Sequence, residues 1–266
     1  MLPDISGLDH LVVLVRDLPA AAAAWAGLGF TVSPRGDHSA HLKTSNHTIM
    51  FGPNYLELMG MTGEVPTNAR WRRTLAVREG LAGAALNLTD ADKAAAALGG
   101  LAVRRFGRPV KMPDGGTIEA KFAVFDLAAD ATPDLRLFAC QHLVPEATWA
   151  PGLTRHANTA LAIRRVEISD NDPTATAAAL AKLYAVEPEP IADGVRVPAG
   201  AAAFEVMTQA AFQARHGVAP TAGPAAIVVQ VADLAAAEAA LARVTHHAVA
   251  GGIETSLNGV LLRLEA

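Results

Sequence analysis

One phrase recurs four times along this chain and limits what it can fold into: an apolar run, an acidic turn, then a helix-favouring stretch. The copies are Val15-Arg16-Asp17-Leu18-Pro19, Leu88-Thr89-Asp90-Ala91-Asp92, Ser169-Asp170-Asn171-Asp172-Pro173 and Val231-Ala232-Asp233-Leu234-Ala235. Each reads as the end of a strand and the start of a helix. Runs of valine, isoleucine and leucine favour strand. An aspartate can accept from the free amides of a first helical turn, and proline is tolerated there because its missing N–H has no intrahelical partner. A period of roughly 60–75 residues is too long for a solenoid and suits duplicated supersecondary units.

The first copy can be followed through a whole unit. Leu11–Val15 is a strand, Ala20–Ala26 a helix, and Gly27 and Gly29 end it. Phe30–Ser33 resumes as strand before a turn at Pro34-Arg35-Gly36-Asp37. His41–Thr44 and His47–Phe51 can form two more strands. After the Gly52-Pro53-Asn54 turn, Tyr55-Leu56-Glu57-Leu58-Met59 alternates, placing Tyr55, Glu57 and Met59 on one face. The unit is βαβββ. A second follows from Ala84 to Gln141, with a turn expected at Pro113-Asp114-Gly115-Gly116. Pro145, Trp149, Pro151 and Gly152 mark 143–158 as a linker. The fold class is therefore α+β, with four tandem βαβββ modules. They divide into an N-terminal domain, 1–142, and a C-terminal domain, 159–266.

Composition narrows the partners. The net charge is −4 with no long basic tract, so nucleic acid is not expected. Hydrophobic residues make up 51% of the chain, yet no apolar run approaches the roughly 20 residues that cross a bilayer. Met1-Leu2-Pro3-Asp4-Ile5 lacks the basic-then-apolar order of a signal peptide, so a cytoplasmic protein without membrane contact is expected. Cys140 is the only cysteine, which excludes an internal disulfide and a multi-cysteine zinc site.

Several short stretches carry a resemblance: Leu8-Asp9-His10 with Val15-Arg16-Asp17-Leu18, Gly27-Leu28-Gly29-Phe30-Thr31-Val32, Asn46-His47, and Tyr55-Leu56-Glu57-Leu58. Phe138-Ala139-Cys140-Gln141-His142 adds to them, with Pro145, Glu146 and Trp149. In this order they resemble the vicinal oxygen chelate superfamily, which includes glyoxalase I, extradiol dioxygenases and bleomycin-resistance proteins. The nearer match is the glyoxalase-like domain branch known from bacterial proteins. The resemblance implies paired modules forming a cupped mixed sheet. A divalent metal (Zn, Fe, Ni or Mn) would sit inside, held by His and Glu from first and last strands. His10 and Glu57 match those ligands in the first unit, with Glu57 also the candidate catalytic carboxylate.

The later units depart from the pattern. Aligning the turns sets Gly83, Arg164 and Ala226 opposite His10 in the second, third and fourth units. Leu135–Cys140 contains no glutamate. His142 is the nearest residue able to complete a metal site, and Asn46 and His47 are candidate substrate contacts. Read from the residues alone, His10 is equally a core histidine, Glu57 a solvent-facing edge carboxylate, and Arg155, His156 and Asn158 a solvated connector. Glu205 matches Glu57 in the third unit and could pair with Arg164 as a salt bridge. The function implied is a metal-dependent lyase, isomerase or dioxygenase acting on a small oxygen-rich molecule. The alternative is a protein that sequesters a small molecule without chemistry. Exposed sheet edges leave a homodimer open.

Overall fold

The computed structural model describes residues 4–112, 115–128, 132, 134–220 and 224–266. Met1–Pro3, Pro113 and Asp114, and with them part of the expected 113–116 turn, lie outside the described residues.

Four units run in order. The first is β1 (Ile5–Leu14), α1 (Leu18–Gly27), β2 (Gly36–Asp37), β3 (Thr44–Met50) and β4 (Tyr55–Met61). A connector helix, α2 (Ala69–Val77), leads to β5 (Gly80–Leu88), α3 (Ala91–Ala97), β6 (Arg104–Lys111), β7 (Thr117–Asp126) and β8 (Arg136–His142). The third holds β9 (Ala160–Ser169), α4 (Pro173–Tyr184), β10 (Glu189–Ile191), β11 (Gly194–Ala199) and β12 (Ala202–Met207). A second connector, α5 (Gln209–His216), precedes β13 (Pro224–Val231), α6 (Leu234–Ala240), β14 (His247–Val249), β15 (Gly252–Leu257) and β16 (Val260–Glu265).

The four acidic phrases do what their chemistry implies. Asp17, Asp90, Asp172 and Asp233 each cap a helix through a side-chain oxygen on first-turn amides. Two of the expected strands do not form. Phe30–Ser33 and His41–Lys43 are irregular, and only the two-residue β2 lies between them. Thr31 instead bonds outside the sheet: its amide donates to His156 Nδ1 at 2.9 Å and its hydroxyl to the Arg155 carbonyl at 2.5 Å.

The units assemble into two eight-stranded mixed sheets with matching orders, β2-β3-β4-β1-β5-β8-β7-β6 and β10-β11-β12-β9-β13-β16-β15-β14. In each, the two units meet where their first strands pair antiparallel, β1 with β5 and β9 with β13. On one face of β1, Leu11 and Val13 join a hydrophobic core that continues across both sheets and takes in Trp25, Phe51, Ile163, Tyr184 and Phe204. The halves are also joined by polar bonds. Buried Asn54 takes the Ile163 amide at 2.9 Å and donates to the Ile163 carbonyl at 3.0 Å, filling the place of a missing strand neighbour. Backbones meet at Gly7 (φ +142°), where a Cβ would sit 2.6 Å from the Ala199 carbonyl oxygen. The 143–158 stretch is not a solvated connector. Asn158 is fully buried, His156 bridges Thr31 and Met50, and Trp149 donates to the Phe51 carbonyl at 3.0 Å. Only Arg155 of the expected exposed trio faces water.

Candidate functional site

The opposite face of the first sheet encloses a cavity of about 880 Å³, within the range of small-molecule sites. His10 from β1, Asn46 from β3 and Glu57 from β4 line it together. The strand register explains this. β4 runs parallel beside β1 with Val12 opposite Glu57 and His10 opposite Tyr55, so His10 and Glu57 sit on one face, one pleat apart. Glu57 is buried on a strand flanked by β1 and β3, not on an edge.

Alternation would send Asp9 and His10 to opposite faces. A β-bulge overrides it: Leu8 pairs with Leu86 and His10 with Ala85, leaving Asp9 without a partner. Both side chains then share one side. Asp9 Oδ2 lies 2.6 Å from His10 Nδ1 and 3.1 Å from His142 Nε2. Burial pushes the Asp9 carboxyl up, but the neighbouring His142 and His10 outweigh that and hold it below the ordinary carboxylate value. An ionised carboxylate only accepts, so His10 donates to it from Nδ1 and turns Nε2 into the cavity. That Nε2 lies 3.8 Å from Glu57 Oε2.

A second imidazole approaches the same carboxylate. His38 Nδ1 is bonded to Thr44 Oγ1 at 2.7 Å, and its Nε2 lies 3.4 Å from Glu57 Oε1. That oxygen also accepts from Asn46 Nδ2 at 2.6 Å. Burial lowers the pKa of His38 more than the Glu57 charge raises it, which favours the neutral ring. The β2–β3 hairpin that delivers His38 is tied by Arg35, Asp37 and Ser45, with Ser45 Oγ donating to Asp37 Oδ1 at 2.6 Å.

The other named residues fall elsewhere. His142 stands behind His10, its two nitrogens on Asp9 and on Thr148 Oγ1 at 3.1 Å, with Trp149 against its ring. His47 is not among the cavity residues; its neighbours Asn46 and Thr48 are, and its Nδ1 lies 2.7 Å from the Ser33 carbonyl. Asp9, Cys140 and His142 also bring donor atoms within 4.8 Å of one another. They suit a cation poorly, because Oδ2 and both imidazole nitrogens are engaged and burial pushes the Cys140 thiol up, away from the thiolate.

The second unit contributes no matching ligands. Gly83 stands where His10 stands in the first unit, and a Cβ there would lie 2.7 Å from the Trp71 ring. The Trp71 indole from α2 fills that position, with the Arg136 guanidinium 4.7 Å above it. Phe138, opposite Ala85, takes the place of Glu57. In the third unit the helix cap is Asp172, one residue later in its phrase than Asp17, so Arg165, not Arg164, occupies the His10 position, and Arg164, bulged as Asp9 is, is exposed. Arg165 Nε lies 3.7 Å from Glu205 and 3.3 Å from Glu167. α5 adds Arg215, 2.6 Å from Glu205 Oε2, and His216, held between Glu167 at 2.5 Å and Glu254 at 2.8 Å. This face is closed by ion pairs.

The sequence model of the glyoxalase-like domain family matches residues 8–184. The chain belongs to this family. No curated protein matches the sequence. Three solved structures share the architecture of this glyoxalase-like protein. A protein from Staphylococcus aureus described only as hypothetical superposes with a TM-score of 0.70 at 11% identity, covering 97% of this chain and 98% of that one. A mutant of 4-hydroxymandelate synthase from Streptomyces coelicolor gives 0.59 at 14% identity, covering 98% and 92%. A xylose isomerase-like TIM barrel/4-hydroxyphenylpyruvate dioxygenase fusion protein gives 0.58 at 13% identity, covering 98% of this chain and 48% of that one. At such identities the likeness concerns the paired-module fold. No helix among the described residues is long and apolar enough to cross a membrane.

Proposed function

We propose that this glyoxalase-like protein is a divalent-metal-dependent enzyme of the lyase, isomerase or dioxygenase kind, acting on a small oxygen-bearing molecule in the N-terminal cavity. The observation that carries this reading is that His10 Nε2 and His38 Nε2 approach the two oxygens of Glu57, Oε2 at 3.8 Å and Oε1 at 3.4 Å, with each ring's Nδ1 already anchored. Two imidazoles and one carboxylate suit zinc, iron, nickel or manganese, and anchored Nδ1 atoms are the usual support for ligating histidines. His10, His38 and Glu57 would hold the ion; Asp9, Thr44 and Asn46 would fix their orientation. A metal bound there supplies Lewis-acid polarisation of a substrate oxygen. The chain itself fixes the tautomer of His10, keeps His38 neutral, and surrounds the substrate with Tyr55, Phe122 and Phe138.

The loss of ligand positions at Gly83 and Phe138 favours a second reading, sequestration of a small molecule without chemistry. Metal analysis of the purified protein separates the two. Stoichiometric metal that disappears in His10→Ala, His38→Ala and Glu57→Ala, and persists in His142→Ala, supports the enzyme. A protein that takes up no zinc, iron, nickel or manganese and still binds apolar ligands supports sequestration.

A further inference from the structure

Among the residues lining the cavity are six cationic side chains, Arg35, Arg104, Arg105, Arg108, Lys111 and Arg136, against three carboxylates, Asp37, Glu57 and Asp126. Most of the cations are spoken for. Arg35 pairs with Asp37, Arg104 and Arg136 share Asp126, and Arg105 reaches Asp92 outside the cavity. Arg108 and Lys111 meet no carboxylate among the described residues, and Lys111 is exposed at the rim. Arg108 differs in being half-buried and directed inward. Its guanidinium crosses the face of Gly36, where a Cβ would collide with it and would lie 2.6 Å from Asn46 Oδ1. It therefore lies beside the side chain that holds Glu57, and its charge is felt by His38 and by the buried Tyr55 hydroxyl. The walls around it are aromatic and aliphatic: Tyr55, Met59, Trp71, Phe106, Phe122 and Phe138.

A guanidinium with no carboxylate partner among the described residues, beside aromatic and aliphatic walls, lacks one chemical complement. We propose that the cavity takes the carboxylate of an aromatic or similarly apolar organic acid, with Arg108 as the group that binds the carboxylate and selects the acid over its neutral analogues. The planar fork of arginine matches the two oxygens of a carboxylate. A phosphate dianion fits less well, because the remaining inward cations are already neutralised by Asp37 and Asp126. Glycine at 36 leaves room for Arg108, since a Cβ there would require its guanidinium to shift. The inference rests on the reading of the N-terminal cavity as the functional site, but not on the metal.

Calorimetric titration of the full-length, chelator-stripped protein tests it, using hydrocinnamate, its neutral isostere hydrocinnamamide, and phenethyl phosphate. The expected result is that the acid binds about tenfold or more tightly than the amide, the scale of a charge-assisted pair in a partly buried site. Arg108→Met should bring that ratio to about one while leaving amide binding unchanged, which also shows that the variant is folded. Arg108→Lys should keep part of the preference. A ratio near one in the wild type, a preference that survives in Arg108→Met, the absence of acid binding at millimolar concentration, or tighter binding of the phosphate would each overturn the inference. Because these titrations contain no metal, a protein that prefers the acid but never loads an ion loses only the metal reading. One that loads an ion but ignores the charge loses only this one.

Discussion

A single oxygen of Asp9 serves two imidazoles, His10 at 2.6 Å and His142 at 3.1 Å, while Oδ1 is buried without a hydrogen-bond partner. Asp9→Asn keeps the volume but no longer offers an ionised acceptor, so the orientation of His10 is lost. On the proposed metal reading, metal affinity should fall about 10–100-fold, the effect of removing a group that orients a ligating histidine; chelator competition measures it, and an unchanged affinity removes Asp9 from the proposed site. In the other sheet, His216 is the informative titrating residue. Burial alone would depress it, but bonds to Glu167 and Glu254 raise it to about 9. Its unfolded value is about 6.5, so its stabilisation is complete below about pH 6.5 and is lost as the pH rises through about 9. Glu167 has the opposite sign. Burial would raise it, but His216 and Arg215 bring it to about 2, so its contribution holds above the ordinary carboxylate range and is lost as the pH falls through about 2. Melting temperature should decline from neutral toward pH 9, and His216→Gln should flatten that alkaline limb. A limb equally steep in the variant would assign it to other groups.

The connector helices decide which half of each sheet can be a site. α2 places Trp71 over Gly83, and α5 places Phe212 in one cluster with Ala226, the residue at the corresponding place in the fourth unit. Over Gly83 the Trp71 ring takes the space a ligand side chain would need. Gly83→Ala must displace Trp71, because a Cβ would lie 2.7 Å from its ring. Overpacking of this kind costs about 1–3 kcal/mol, readable as a shift in denaturant midpoint at constant slope. Gly83→Ala combined with Trp71→Leu should recover part of it. Equal midpoints for wild type and Gly83→Ala would show that the indole moves freely and does not define the cavity wall.

At the scale of the molecule, the two sheets are not independent. Leu11, Trp25 and Phe51 from the first share one core with Ile163, Tyr184 and Phe204 from the second, and the Trp25 indole donates to Asn258 at 3.1 Å. A fragment ending at residue 158 would expose that shared face. Since hydrophobic burial is the dominant favourable term in folding, the fragment should be aggregated or partly folded, with no cooperative melting transition by circular dichroism. A fragment 1–158 that melts cooperatively as a monomer would show that the N-terminal half stands alone. The charged face of the C-terminal sheet fits this division: its centre is closed by Arg165, Arg215 and His216, and the cavity belongs to the other half.

The sequence by itself determined the module plan, because helix caps and strand runs are local chemistry: Asp17, Asp90, Asp172 and Asp233 act within three residues of where they stand. It also named His10 and Glu57 as candidates, His10 from its neighbourhood and Glu57 from the alternation of its strand, and both line the cavity. Tertiary structure alone decided the rest. Asp9 joins His10 only through a bulge created by pairing with β5, and the register against β12 puts Arg165, not Arg164, in the place of His10. His38 comes to Glu57 from a hairpin, and Arg108 comes to Gly36, beside the Asn46 side chain, from a strand; no local pattern directs either inward. Asn158 looked solvated in sequence and is buried, with its amide and side chain bonded to the Gly29 and Leu28 carbonyls at the end of α1. Local propensity fixes which residues begin and end an element; which side chains share a cavity depends on register and on what packs behind, and neither is written in neighbouring residues.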